Sequence, residues 1–305
     1  VAPLLSVTLP NFGDLLPAGE WRRYLDLART AEDQGIGRIV TVDHVVMGPG
    51  IDASRSGPFP GASIPGPWLE PLTMLSAVAA VTSRIRLATG VLIAPLRGAA
   101  VLAKTAATLD VISQGRLDLG VGVGRQREEY DAAGLAWARR GTLLDDTLAA
   151  CKALWTTSPT TLHLPTVRLE EVWCEPKPVQ PGGVPLWIGG TLHERNLTRL
   201  TRWGDGWIPA MGESVQGVTA GVALARKSWE DAGRDPATLR IQATLPMGKD
   251  PSGRPDLARS IEAVPALQAA GATVINVHIT PFLGDLRNAE RVFRDLVGRF
   301  AGWTR

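Results

Sequence analysis

Cysteine, tyrosine and histidine are scarce in this chain: two, two and four among 305 residues. Cys151 and Cys174 show no metal or redox spacing, and no three of the four histidines cluster at ligand spacing, so a metal site has no support. Cys151 falls in a helical pattern beside Leu148 and Leu154 and reads as a buried free thiol, which fits a reducing compartment. Charge of one sign is lacking too. The formal net charge is +2, and the charges are interleaved, as in Glu20-Trp21-Arg22-Arg23, so nucleic acid is not an implied partner. No long apolar run exists. The most apolar window, 69–96, is interrupted by Arg84, Arg86 and Pro95, which argues against a membrane span. The first ten residues carry neither a basic region nor a cleavage pattern, so no signal peptide is expected. Together these absences point to a cytoplasmic protein with no membrane partner.

What the chain does have is alternation. Hydrophobic residues make up 45% of it, enough for one large core. Short β-branched runs read as strands at 4–9, 38–43, 85–92, 117–121, 185–188, 207–208, 240–245 and 274–279. Helical patterns follow at 20–34, 71–82, 99–112, 128–155, 194–203, 215–232, 258–270 and 288–300, the first stopped by Gly35. Two stretches break the rhythm. One is a Gly- and Pro-rich loop at 48–67, of the length that serves as a lid or binding loop. The other, 156–185, reads as an inserted hairpin or extended excursion. Eight strand–helix units with right-handed crossovers predict a single domain, an α/β (β/α)8 TIM barrel; an open doubly wound sheet is the alternative.

Barrels place ligands at the carboxyl ends of their strands. Those ends hold Asn11-Phe12-Gly13, Asp43-His44, Thr89-Gly90-Val91, Gly122-Val123-Gly124-Arg125, Gly189-Gly190-Thr191, Pro209-Ala210-Met211, Pro246-Met247 and Thr280-Pro281. Glycine at three adjacent rims would let a flat ligand lie close to backbone. Asp43-His44 admits two readings: a polar pair that tidies a strand end, or a general acid/base, since imidazole titrates nearest neutrality. His163 and His193 stand at no equivalent rim site, and His278 lies within strand eight, where a core imidazole is the default. The run 120–124 lacks the register of a dinucleotide fingerprint, so it marks either close approach to a ring or phosphate or tight barrel packing. Gly189-Gly190-Thr191, just ahead of a helix, forms either an anion-binding nest or a helix cap; nearby Arg195 reads as a solvated helix-face residue.

Five segments in order, VDHVV, EPLTMLSAVAAVTSRIRLATGVLIAPLR, KTAATLDVISQGRLDLGVGVGRQREEY, EPKPVQPGGVPLWIGG and RWGDGWIP, resemble successive landmarks of the bacterial luciferase-like family of flavin- and deazaflavin-dependent oxidoreductases. The Asp-His pair is similar to that of the branch using coenzyme F420. The resemblance implies that His44 is catalytic, near the reactive centre of the deazaflavin, and that Asp43 contacts the cofactor. It implies a bulge at Thr89-Gly90-Val91 with a cis peptide between Gly90 and Val91, and a phosphate site at Gly189, Gly190 and Thr191; the strand end Gly122-Val123-Gly124 reads as cofactor-binding, and Arg125 as a clamp for an acidic substrate or the cofactor tail. Arg125 stands where sugar-phosphate dehydrogenases of the family carry a carboxylate, and arginine donates no proton at neutral pH, so that chemistry is disfavoured. The implied activity is hydride transfer between coenzyme F420 and a small-molecule substrate, in a homodimer. Alternatives are an FMN-dependent two-component monooxygenase fed by a partner reductase, and a non-catalytic flavin-binding protein.

Overall fold

β-Branched runs become strands here because each is buried on both faces, as parallel strands require. The computed structural model describes residues 2–13, 15–16, 20–48 and 66–303. In chain order the elements are β1 (Leu4–Thr8), α1 (Arg22–Asp33), β2 (Arg38–Thr41), α2 (Pro71–Val81), β3 (Arg86–Thr89), β4 (Leu92–Ile93), α3 (Ala99–Ser113), β5 (Leu117–Gly122), α4 (Arg127–Ala132) and α5 (Arg140–Thr156). Then come β6 (Thr160–His163), β7 (Arg168–Val172), β8 (Leu186–Gly189), α6 (Glu194–Arg202), β9 (Gly206–Ile208), α7 (Val215–Asp231) and β10 (Arg240–Thr244). The chain closes with α8 (Leu257–Ile261), α9 (Val264–Ala269), β11 (Val274–His278), α10 (Thr280–Leu283) and α11 (Ala289–Trp303).

The strands run β3-β2-β1-β11-β10-β9-β8-β5, all parallel, and β3 pairs with β5 to close the ring. The expected (β/α)8 barrel is therefore present, and the open-sheet alternative is not. Helices cover it by amphipathic faces: in α1, Tyr24, Leu27, Ala28 and Ala31 are buried at helical spacing. The insertion is a hairpin, β6 against β7, with Leu162 opposite Leu169. Both cysteines are free and buried, and burial pushes the Cys151 thiol pKa up. No helix among the described residues is long and apolar enough to cross a membrane.

The elements depart from the sequence expectations in three places. Strand three is not continuous over 85–92. It leaves the ladder after Thr89, passes through the cis Gly90–Val91 peptide that the resemblance implies, and resumes as β4, where Leu92 pairs with Val121. The helix expected over 128–155 is two helices. Gly134, at φ +70°, ends α4, with Leu135 N–H bonding back to the Tyr130 carbonyl. The helix expected over 258–270 breaks before Pro265, which has no N–H to give the preceding turn. The loop expected at 48–67 lies mostly outside the described residues.

The barrel is filled below its carboxyl rim by a polar knot, not by hydrocarbon alone. Arg38 of β2 is 1% exposed and points across the interior. Its Nε donates to Ser6 Oγ of β1 at 3.3 Å, and its Nη2 donates to Gln242 Oε1 of β10. Nη1 lies 3.5 Å from Asp118 of β5, and the guanidinium stacks 4.8 Å from the Trp187 ring centre of β8. Burial lowers the Arg38 pKa to about 10, against the pull of Asp118. Asp118 is shared with Arg86 through two further hydrogen bonds. Removing one partner of a buried ion pair leaves an uncompensated charge. Asp118→Asn is expected to destabilise the protein by about 3 kcal/mol or more in urea titrations. A loss within about 0.5 kcal/mol, the range of a neutral surface change, would show that Arg38 needs no counter-charge.

Candidate functional site

The carboxyl rim opens into a cavity of about 480 Å³, within the range of small-ligand pockets. Its floor is polar and continues the knot below: Thr8, Gln242 and Asn276 face it. Asn276 Nδ2 donates to Thr8 Oγ1 at 2.8 Å and Asn276 Oδ1 accepts from Ser6 at 2.9 Å, so these groups are held before any ligand arrives. The wall is apolar and thin. Gly90, Val91, Gly122, Gly189 and Gly190 line it. A Cβ on Gly189 would stand 2.6 Å from Val91 Cγ1, and one on Gly122 would stand 2.9 Å from Val91 Cγ2. The two glycines therefore make room for the Val91 isopropyl group, and Val91 is the surface shown to a ligand.

His44 follows β2 and is positioned by three neighbouring elements. Asn11 clamps the backbone at Val42, accepting its N–H at 3.1 Å and donating to its carbonyl at 2.8 Å. Trp68 meets the imidazole edge-on, with ring centres 4.7 Å apart, and is itself stacked on Phe12 at 4.3 Å. The segment entering α4 reaches back from the other side. Gln126 Nε2 lies 2.8 Å and Glu129 Oε1 3.2 Å from His44 Nδ1. Glu129 Oε1 also accepts the Val45 N–H at 2.9 Å, and Gln126 Oε1 accepts the Gly48 N–H at 3.2 Å.

With Nδ1 engaged by α4, Nε2 is the nitrogen left to meet a bound molecule. Glu129 favours a proton on Nδ1 and hence a bare, basic Nε2. Gln126, as a donor, favours the opposite tautomer with an acidic Nε2–H. Both partners lie on one atom, so either tautomer of the ring finds a partner at Nδ1. Glu129 is buried, and its Oε2 has no hydrogen-bond partner.

Several residues expected at the site stand differently. Asp43 borders the cavity, but its carboxylate is turned into the wall. It accepts the Ile93 N–H at 2.8 Å and both ends of the Arg97 guanidinium. Burial raises the Asp43 pKa, opposed by Arg97 and the Ile93 N–H. Asp43 therefore braces the strand-two rim to the strand-three bulge, and no carboxylate oxygen faces a ligand. Thr89 is fully buried, its hydroxyl donating to the Gly120 carbonyl at 2.7 Å, and it does not line the cavity. Thr191 is exposed outside the lining, its carbonyl accepting from Asn196 and His193. The Gly190 amide, expected in an anion nest, donates to the Ile208 carbonyl. Val123, Gly124 and Arg125 do line the cavity, with Arg125 exposed at its edge. His163 and His193 are exposed, on the hairpin and at the start of α6.

The sequence reading missed Gln126, Glu129, Trp68 and Arg97. The signal for the first two was their spacing of three after the β5 glycines, with Gln126 at the cap of α4 and Glu129 in its first turn. His278 was expected in the core; it ends β11 and faces the cavity. Among the described residues no group of His, Cys, Asp and Glu could hold a metal ion.

A rim cavity above a parallel barrel is where (β/α)8 enzymes act on small molecules. The family model described as luciferase-like monooxygenase matches residues 4–252, and the chain belongs to that family. An uncharacterized protein of Mycobacterium tuberculosis strain H37Rv is 36% identical over 213 residues, which cover 68% of this chain and 74% of the relative. The phthiodiolone/phenolphthiodiolone dimycocerosates ketoreductase of the same strain is 30% identical over 201 residues, 64% of this chain and 51% of the relative. An F420-dependent secondary alcohol dehydrogenase, solved with an F420-acetone adduct, superposes with a TM-score of 0.77 at 14% identity, covering 98% of this chain and 99% of that one. At that identity the likeness concerns the fold.

Burial lowers the His278 pKa to about 4 from its ordinary 6.5. The unfolded chain therefore binds a proton that the folded one refuses between those values, and stability falls as pH drops through that window. Urea titrations should show a loss of roughly 2 kcal/mol between pH 7 and pH 5 that disappears in His278→Gln. An identical pH slope in both proteins would place the imidazole in water.

Proposed function

We propose that the protein is an oxidoreductase that moves hydride between coenzyme F420 and a secondary alcohol or ketone. The observation that carries this reading is His44, with Nδ1 anchored by Gln126 and Glu129 and its ring at the edge of a cavity walled by Val91. The residues fit a flat heterocycle. Val91 offers an apolar face, Gln242, Thr244 and Asn276 offer polar edges, and Arg125 stands at the rim for an anionic tail. The ketoreductase relative and the alcohol dehydrogenase fold neighbour support an alcohol–carbonyl pair.

Coenzyme F420, when bound, exchanges the hydride. The protein handles the proton. As an alcohol is oxidised its carbon gives up hydride and its oxygen gives up a proton, which His44 Nε2 takes; in the ketone direction His44 returns it to the carbonyl oxygen. Glu129 stabilises the charged ring through Nδ1, and Asp43 with Arg97 fixes the rim that carries His44.

His44→Ala should lower turnover about 10²- to 10⁴-fold while F420 affinity, read by fluorescence quenching, stays within about twofold. Glu129→Gln should lower turnover by about 10-fold or more, again with affinity unchanged. Wild-type turnover in His44→Ala would remove the imidazole from the mechanism.

The family description favours a second reading, an FMN-dependent monooxygenase. Val91 would face either tricyclic ring. Titrating the protein with F420 and with FMN separates them: tighter quenching of F420 supports hydride transfer, whereas preference for reduced FMN with oxygen uptake supports the monooxygenase.

A further inference from the structure

Beside the main cavity lies an annex of about 160 Å³, built by the ends of three consecutive barrel strands. Met211 follows β9, Pro246 and Met247 follow β10, and Pro281 and Phe282 belong to α10 after β11. The two chambers adjoin, and Met211, Thr244 and His278 line both.

The chemistry of this annex differs from that of the cavity it joins. Its lining holds no lysine or arginine, and its one carboxylate, Glu213, would repel an anion. The Glu213 Oε1 is 3.2 Å from the Ser214 N–H. His278 brings no charge at neutral pH. Met211 and Met247 are 42% and 36% exposed, so the annex shows water an apolar surface that a ligand would cover. Thioether side chains adapt to varied shapes, which suits a pocket for hydrocarbon better than one for a patterned polar group. A volume of about 150 Å³ is enough to hold a benzene ring.

We propose that the annex is a substrate subsite for a neutral apolar substituent, a short alkyl chain or an aryl ring, attached to the carbon that reacts beside His44. This rests on the alcohol–ketone reading above and narrows it: sugar phosphates, keto acids and other substrates with a charged tail are disfavoured, and hydrophobic ketones or secondary alcohols are favoured.

The test uses binding as well as turnover, so that the two ideas fail separately. The environment-sensitive ketone 6-propionyl-2-(dimethylamino)naphthalene is titrated into the full chain without cofactor and displaced with 2-alkanones from butanone to nonanone. Displacement should strengthen about two- to fourfold per added methylene until the annex is full. The charged analogue 8-oxononanoate should compete at least tenfold more weakly than 2-nonanone. Met247→Asp, at a half-exposed position that folding tolerates, should flatten the chain-length series, and Phe282→Ala should weaken it, with F420 quenching unchanged in both. KM values for F420-linked turnover of the same series should follow the same order. No chain-length dependence, equal binding of the carboxylate, or an unaltered series in both variants would overturn the subsite. Absence of F420 turnover with the binding series intact would instead overturn the hydride-transfer reading and leave the subsite standing.

Discussion

One guanidinium holds the interior together. Arg38 starts on β2 and meets groups on β1, β5, β8 and β10, so five of the eight barrel strands share a single side chain. A buried cation must find acceptors or lose its charge, and the barrel supplies them in a ring: Ser6, Gln242 and Asp118, with the Trp187 face above. That requirement sets the polarity of the layer above it. Ser6 passes its hydrogen bonding to Asn276, Asn276 passes it to Thr8, and the floor of the cavity is therefore lined with oriented amides and hydroxyls. A barrel filled by aliphatic layers would offer a ligand no such edge.

The wall of the cavity obeys a second constraint, which is volume. Val91 projects between β5 and β8, and both neighbours are glycine at the level it occupies. Three positions, 91, 122 and 189, thus form one packing unit drawn from the β3–β4 bulge, β5 and β8, and a larger residue at either glycine would collide with the valine. The cavity receives an apolar wall from Val91, between β3 and β4, and a polar floor from β1, β10 and β11. That combination suits a planar ring presenting one face to hydrocarbon and its edges to hydrogen-bond donors, as the proposed deazaflavin would.

Adjacent residues divide the work at the rim. Asp43 turns inward to Arg97 and Ile93, and His44 turns to the cavity. The two side chains diverge because backbone after a strand presents successive residues to opposite sides. Asp43 ties two strand ends together, and the segment that carries His44 is strapped from the far side by Gln126 and Glu129. The imidazole is thereby fixed in position by contacts to one of its two nitrogens.

The sequence by itself determined the architecture, because eight alternations of β-branched runs and amphipathic patterns encode parallel strands and covering helices locally, and right-handed crossovers leave few ways to close them. It also marked the rim, since residues after a strand must lie at its carboxyl end, and so put His44, Gly90 and Gly189 near one another. What only the tertiary structure decided was direction and partnership. Whether Asp43 faces a ligand or an arginine 54 positions away, whether Gly189 admits a phosphate or a valine methyl, and whether Glu129 ends in water or against an imidazole depend on contacts between residues far apart in the chain. Spacing along a sequence carries local periodicity, but the pairing of a buried charge or the filling of a void is settled by whatever the closed barrel brings within a few ångströms.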